Sequence, residues 1–208
     1  MRPGALVFDL DGTLWDTTGT CADAWNRVLA RLGIVGAPVT ADDVRRVSGQ
    51  PHREAIRRAF PDLPEETIDV LAMETAEEDN RAIAAHGGIL YPGVRETIPL
   101  LRARVPLLIV SNCQRGYIET FLGWSGLGSS FVDHECWGNT GATKGANLAA
   151  VVQRNALRAP LFVGDTDGDR AAADENRVPF VHVTWGYGDV ARHDHRIERF
   201  ADLASLLA

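Results

Sequence analysis

Unbroken apolar runs constrain the fold of this chain more than any other feature. Residues 4–10, Pro106–Val110, Leu161–Val163 and Pro179–Val183 each have a strand's length, and Phe131-Val132 opens a weaker one. A strand apolar on consecutive positions is buried on both faces. Helical stretches near Gly116–Trp124, Lys144–Arg154 and Asp169–Asn176 separate the later runs. Alternation of this kind predicts an α/β fold, a parallel sheet covered by helices on both sides.

Between the first run and the rest the pattern changes. From about Thr17 to Gly88 apolar residues recur three and four apart, as on helices. Leu29, Leu32, Val44, Val47, Ile56, Phe60, Ile68, Leu71 and Ile83 are the expected inward positions, and Pro38, Pro51, Pro61 and Pro64 divide the block into about four helices. The expected division is therefore residues 1–16 and 88–208 as one α/β unit, with 17–87 as a helical insert.

Composition narrows the function. The 208 residues are 45% hydrophobic and 24% charged, which suits a full core. A net charge of −7 disfavours nucleic acid and anionic membrane surfaces as partners. It also means that an anionic substrate needs a local device, a metal or a lysine, to hold it. No stretch has the length of a membrane span. Met1-Arg2-Pro3-Gly4 runs straight into the first strand, so no leader is expected. Cys21, Cys113 and Cys136 form neither a disulfide framework nor a zinc pattern, and a reducing cytoplasm is the expected location. Oligomeric state has no signature in the sequence.

The chemistry-bearing residues fall where strands end. The first run closes in Asp9-Leu10-Asp11-Gly12-Thr13, the second in Ser111-Asn112, and the third in Gly164-Asp165-Thr166-Asp167-Gly168-Asp169. Lys144 opens a helix. In open parallel sheets ligands gather at the carboxyl ends of strands. Paired acids on one loop, with a turn-forming glycine behind them, suit proton transfer and nucleophilic attack.

These segments resemble the four motifs of the haloacid dehalogenase-like hydrolases, and the likeness spans the whole chain. D-x-D-G-T is matched at Asp9–Thr13, the strand-closing serine at Ser111, the helix-start lysine at Lys144, and G-D-x-x-x-D at Gly164-Asp165 with Asp169. Tyr91-Pro92-Gly93-Val94 and Val183–Gly188 are similar to the branch containing phosphoglycolate phosphatases. The resemblance implies a doubly wound, Rossmann-like core with an inserted helical cap, and a Mg²⁺-dependent phosphatase acting on a small-molecule phosphate ester. It implies Asp9 as nucleophile and Asp11 as general acid and base. Ser111, the backbone N–H of Asn112 and Lys144 would hold the phosphoryl group. The metal would sit on Asp9, the Asp11 carbonyl and Asp165, with Asp169 orienting the metal's waters or Lys144.

The second acid, Asp11, disfavours a dehalogenase, whose departing halide needs no proton. A phosphomutase of the β-phosphoglucomutase kind would keep every core motif, and a silent binding module on the same fold is a third reading. In the cap, Ser48-Gly49-Gln50-Pro51-His52 is the expected substrate loop, with Gln50 and His52 (and Arg53 beside them) as contacts. Arg45, Arg46, Arg53, Arg57 and Arg58 are placed to attract an anionic substrate from the cap or, for most of them, to form an ordinary charged helix face; Trp15 reads as packing, Cys113 as an unactivated thiol, and His193-Asp194-His195 as a solvated loop.

Overall fold

A computed structural model describes residues 3–207. Met1 and Arg2, the run-in to the first strand, lie outside the described residues, as does Ala208. The chain opens with β1 (Ala5–Phe8) and a two-residue strand, β2 (Trp15–Asp16). Four helices follow: α1 (Thr18–Leu32), α2 (Ala41–Val47), α3 (His52–Ala59) and α4 (Glu65–His86). Then come β3 (Ile89–Leu90), α5 (Val94–Arg102), β4 (Leu107–Ser111), α6 (Tyr117–Ser125), β5 (Phe131–Cys136), α7 (Trp137–Thr140) and α8 (Lys144–Arg154). The chain closes with β6 (Pro160–Gly164), α9 (Asp167–Glu175), β7 (Phe180–Val183), β8 (His195–Ile197) and α10 (Leu203–Leu206).

Six strands form one sheet in the order β5-β4-β1-β6-β7-β8, and every pairing within it is parallel. β1 lies between β4 and β6, where the chain stops building outward on one side and begins on the other. This reversal opens a crevice at the strand's carboxyl end. The strand residues split by parity, as the pleat requires. Leu6, Phe8, Leu107 and Ile109 join one apolar cluster, with α5, α6 and the four-helix segment. Ala5, Val7, Leu108 and Val110 join another, with Leu148 and Val151 of α8 and Ala172 and Ala173 of α9. Every side chain of β1 is fully buried, and each of its large ones contributes on the order of 1.5–3 kcal/mol of burial free energy.

The four helices between β2 and β3 pack on one another, and α4 also packs on α6. Both chain crossings run through the small antiparallel pair of β2 and β3, with Trp15 opposite Leu90 and Asp16 opposite Ile89. Trp15 is fully buried and packs edge-on against Tyr117 and Phe121.

The structure corrects several local expectations. β1 stops at Phe8 rather than residue 10, because the chain turns at Gly12 and leaves Asp9 to Asp11 as a loop. Leu32 is 36% exposed because α1 ends there at the left-handed Gly33. α9 begins at Asp167, two residues early, because Thr166 caps it. His195 is not loop but the start of edge strand β8, in which only Ile197 is buried; a three-residue edge with one buried position has no periodicity to read. β2 and β3 are too short for the same reason.

Candidate active site

Asp9 follows β1 directly and is 3% exposed. Its Oδ1 accepts a 2.7 Å hydrogen bond from the Lys144 ammonium, which also donates to Asp169 Oδ1 at 2.6 Å. Lys144 is the chain's only lysine. It sits at the first position of α8, after the capping hydroxyl of Thr143. One compact ammonium between two buried carboxylates fills a slot that a planar guanidinium would not fit. Burial alone would lower the Lys144 pKa; the facing charges of Asp169 and Asp9 outweigh it and hold the group above its ordinary value.

Asp165, at the end of β6, and Asp169, in the first turn of α9, complete the charged cluster. Asp169 forms a capping box with Thr166: its Oδ2 accepts from the backbone N–H groups of Asp165 and Thr166 and from the Thr166 hydroxyl. With Oδ1 taken by Lys144, its oxygens are fully engaged. Asp165 Oδ1 accepts from the Thr13 hydroxyl at 3.1 Å, and Oδ2 from the backbone N–H of Tyr187 at 2.7 Å. Gly12 is required here twice over. Its φ is +82°, and a Cβ would stand 2.3 Å from Asp165 Oδ2.

Asp11 faces the cleft separately. Tyr117 donates to its Oδ1 at 2.8 Å, and Thr17 lies 3.3 Å from the same oxygen. Burial, opposed by these bonds, pushes the Asp11 carboxyl up to about 6. Burial, with the Asp169 charge, pushes Asp165 up to about 7 and Asp9 well above its ordinary range. Three carboxylates raised together need a cation to ionise fully.

Carboxylate oxygens of Asp9, Asp165 and Asp169 lie within 4.8 Å of one another. Hard oxygen donors of this kind suit Mg²⁺. Asp169 Oδ2 already accepts three donors and its Oδ1 accepts Lys144, whereas each Asp165 oxygen accepts a single donor, so Asp9 and Asp165 are the side chains best placed to ligate. The carbonyl of Asp11, the third ligand expected, belongs to the same loop.

Ser111 closes β4. Its Oγ accepts from the Cys113 backbone N–H at 3.3 Å, which leaves the hydroxyl proton for another acceptor. The Asn112 side-chain amide donates to the Gly49 carbonyl at 2.8 Å, tying the β4 loop to the Ser48–Pro51 turn between α2 and α3. Asp9, Asp11, Ser111, Asn112, Gln50 and His52 line one cleft. His52 Nε2 lies 2.9 Å from the Thr75 hydroxyl, which itself donates to the Leu71 carbonyl, so the ring nitrogen donates. Burial pushes its pKa down to about 4, so the ring is neutral at physiological pH. Arg53 does not line the cleft; it pairs with Glu65 and Asp69. Burial raises the Cys113 thiol well above its usual value, as suits an inert group.

Sequence reasoning missed Tyr117 and Thr17, and it placed Thr13 and Tyr187 within motifs without seeing that both hold Asp165. Tyr117 and Thr17 have no spacing signal, since each meets Asp11 only through the fold. It also missed Asp79 and Gln114, which line the same cleft.

Residues 6–183 match the family model described as haloacid dehalogenase-like hydrolase. The chain is 34% identical over 194 residues to a phosphoglycolate phosphatase of Agrobacterium fabrum, covering 88% of this chain and 82% of that protein. A phosphoglycolate phosphatase of Rhodobacter capsulatus is 29% identical, with 98% and 96% covered. A haloacid dehalogenase-like hydrolase structure from Streptococcus pneumoniae superimposes with a TM-score of 0.85 at 19% identity, covering 99% of each chain. The chain belongs to the haloacid dehalogenase-like hydrolase family, and within it to the phosphatases.

Proposed function

We propose that this enzyme is a Mg²⁺-dependent phosphatase that hydrolyses a small-molecule phosphate monoester through an aspartyl-phosphate, with residues 17–87 acting as a cap over the site. The observation that carries the reading is the pairing of two unlike carboxyls in one cleft. Asp9 is clasped by Lys144 for attack, and Asp11 is held by Tyr117 with a proton affinity near neutrality.

A carboxylate oxygen of Asp9 attacks phosphorus, the P–O ester bond breaks, and Asp11 donates its proton to the leaving oxygen. Water then attacks the aspartyl-phosphate. Its proton goes to Asp11, and the Asp9–phosphorus bond breaks to release inorganic phosphate. A group that first gives and then takes a proton works best with a pKa near the working pH. Lys144, the Ser111 hydroxyl and the Asn112 backbone N–H would balance charge on the phosphoryl oxygens. Mg²⁺ held by Asp9, Asp165 and the Asp11 carbonyl would offset the crowded negative charge and keep the carboxylates ionised. Asp169 acts through others, positioning Lys144 and the loop after β6.

The test is phosphate release from p-nitrophenyl phosphate with Mg²⁺, with EDTA, and in Asp9→Asn, together with acid-quenched mass spectrometry. The expected result is Mg²⁺-dependent release, a phosphoryl adduct on the Asp9 peptide, and loss of both in the variant. Undiminished turnover by Asp9→Asn would overturn the reading.

A further inference from the structure

Two buried polar atoms in the cleft have no partner. Asp79, on α4, is 2% exposed; its Oδ2 accepts from the Trp25 indole at 3.2 Å, while Oδ1 makes no hydrogen bond. The Cys21 thiol lies against this carboxyl but leaves Oδ1 unpaired. Gln114, three residues beyond Ser111, is 9% exposed, and its Nε2 is likewise unpaired. Both residues line the cleft that holds Asp9 and Asp11. Buried polar groups in native proteins almost always find partners, so two orphans on residues that line one cleft point to a ligand that supplies them.

The rest of the wall narrows that ligand's chemistry. Among the described residues, no arginine or lysine lines the cleft. Arg45, on α2, is committed to Asp16 and Asp42, and Lys144 to Asp9 and Asp169. His52 is neutral at physiological pH. A carboxylate on the leaving group would therefore meet Asp79, whose carboxyl burial raises well above its ordinary range, and no free cation, and burying a charge without a counter-charge is costly. Trp25, Val44, Val47 and Ala55 add apolar surface suited to C–H groups.

We infer that Asp79 and Gln114 bind hydroxyl groups of the leaving group, so that the preferred ester is a neutral, hydroxyl-rich phosphate of the polyol or sugar class rather than a carboxylate-bearing one. The inference rests on the phosphatase reading above and adds the substrate class. A hydroxyl both donates and accepts, so it pairs with a carboxyl in either protonation state and with an amide N–H. A site built to hydrogen-bond a substrate hydroxyl discriminates strongly against analogues that leave its polar groups unpaired.

The test compares kcat/KM of the Mg²⁺-loaded enzyme on glycerol phosphate, erythritol phosphate and hexose phosphates with that on phosphoglycolate, phospholactate and p-nitrophenyl phosphate. At least one hydroxylated ester is expected to exceed phosphoglycolate by about tenfold or more. Asp79→Leu and Gln114→Leu, which remove the polar groups, are each expected to lower the ratio of kcat/KM on that ester to kcat/KM on p-nitrophenyl phosphate by on the order of 10- to 100-fold, chiefly through KM. A preference for phosphoglycolate over every hydroxylated ester, or an equal loss on all esters in both variants, would overturn the inference. Should Asp79→Leu unfold, the wild-type ranking and Gln114→Leu decide it. Hydrolysis of p-nitrophenyl phosphate with the ranking reversed sinks only the substrate class. Silence on every ester sinks the phosphatase reading with it.

Discussion

The charged network behind Asp9 and the cleft that Asp9 opens onto are finished to different degrees. Along the edge of β1 and β6, both oxygens of Asp165 and both of Asp169 have donors, and Lys144 is locked between two acids. In the cleft, beside Trp25 and the Ser48–Pro51 turn, Asp79 Oδ1 has none, and neither has Gln114 Nε2 on the β4 loop. The closed network suits a fixed reaction centre whose geometry must not drift. The unpaired groups suit a surface completed by whichever leaving group enters. Damage to the network should therefore fall on all substrates alike, and damage to the cleft should depend on the substrate.

The largest break in this contrast is expected at Lys144. Lys144→Met leaves Asp9 and Asp169 buried without their cation, at a cost of about 3–5 kcal/mol in unfolding free energy. Lys144→Arg should fail as well, with activity lost on every ester, because the slot fits an ammonium. Chemical denaturation and a substrate panel check both; a fully active Lys144→Arg would show the network to be looser than described.

Gly12→Ala comes next. Its left-handed φ and the 2.3 Å approach of Asp165 predict about 1–3 kcal/mol of strain, with Asp165 displaced. Thermal melting should record the loss, and activity should fall uniformly across esters.

In the cleft, His52 should make the helical segment sensitive to acid. Its folded pKa of about 4 lies below the ordinary 6.5, so the fold favours the neutral ring. The stability it contributes is present above pH 6.5 and is lost as pH falls toward 4. Because the ring is partly exposed, the loss is about 1–2 kcal/mol rather than the full linkage value. His52→Gln should flatten the melting temperature over that window; an unchanged slope would show that other groups carry the acid sensitivity.

The smallest effect is expected at Arg45, whose pair with Asp16 joins α2 to β2 while its pair with Asp42 lies within α2. Arg45→Ala should cost under about 1 kcal/mol and shrink further with added salt. A larger loss in a denaturant melt would mean that the link between the helices and β2 is tighter than its exposure implies.

Legibility in the sequence followed the length of the signal. β4 and β6 were readable as continuous apolar runs, and the four helices as three-and-four spacing broken by prolines. β2, β3 and β8 were not, because two or three residues cannot establish a period. At the site, Asp9, Asp11, Ser111, Lys144 and Asp165 announce themselves by standing at strand ends or a helix start. Tyr117 does not, since its hydroxyl reaches Asp11 across 106 residues. Asp79 reads as one more acid on a charged helix, and only burial reveals that it is unlike Glu74 or Glu77.

The sequence by itself determined the α/β architecture and the set of acids and the single lysine gathered at one sheet edge, because strand periodicity and strand-end placement are local properties. Only the tertiary structure decided how those groups are satisfied. It showed that Asp169 is used up by Lys144 and the α9 cap, that Asp11 is held by Tyr117, and that Asp79 and Gln114 are buried without partners. Hydrogen-bond partnership and burial are relations between segments far apart in the chain, so no local pattern records them.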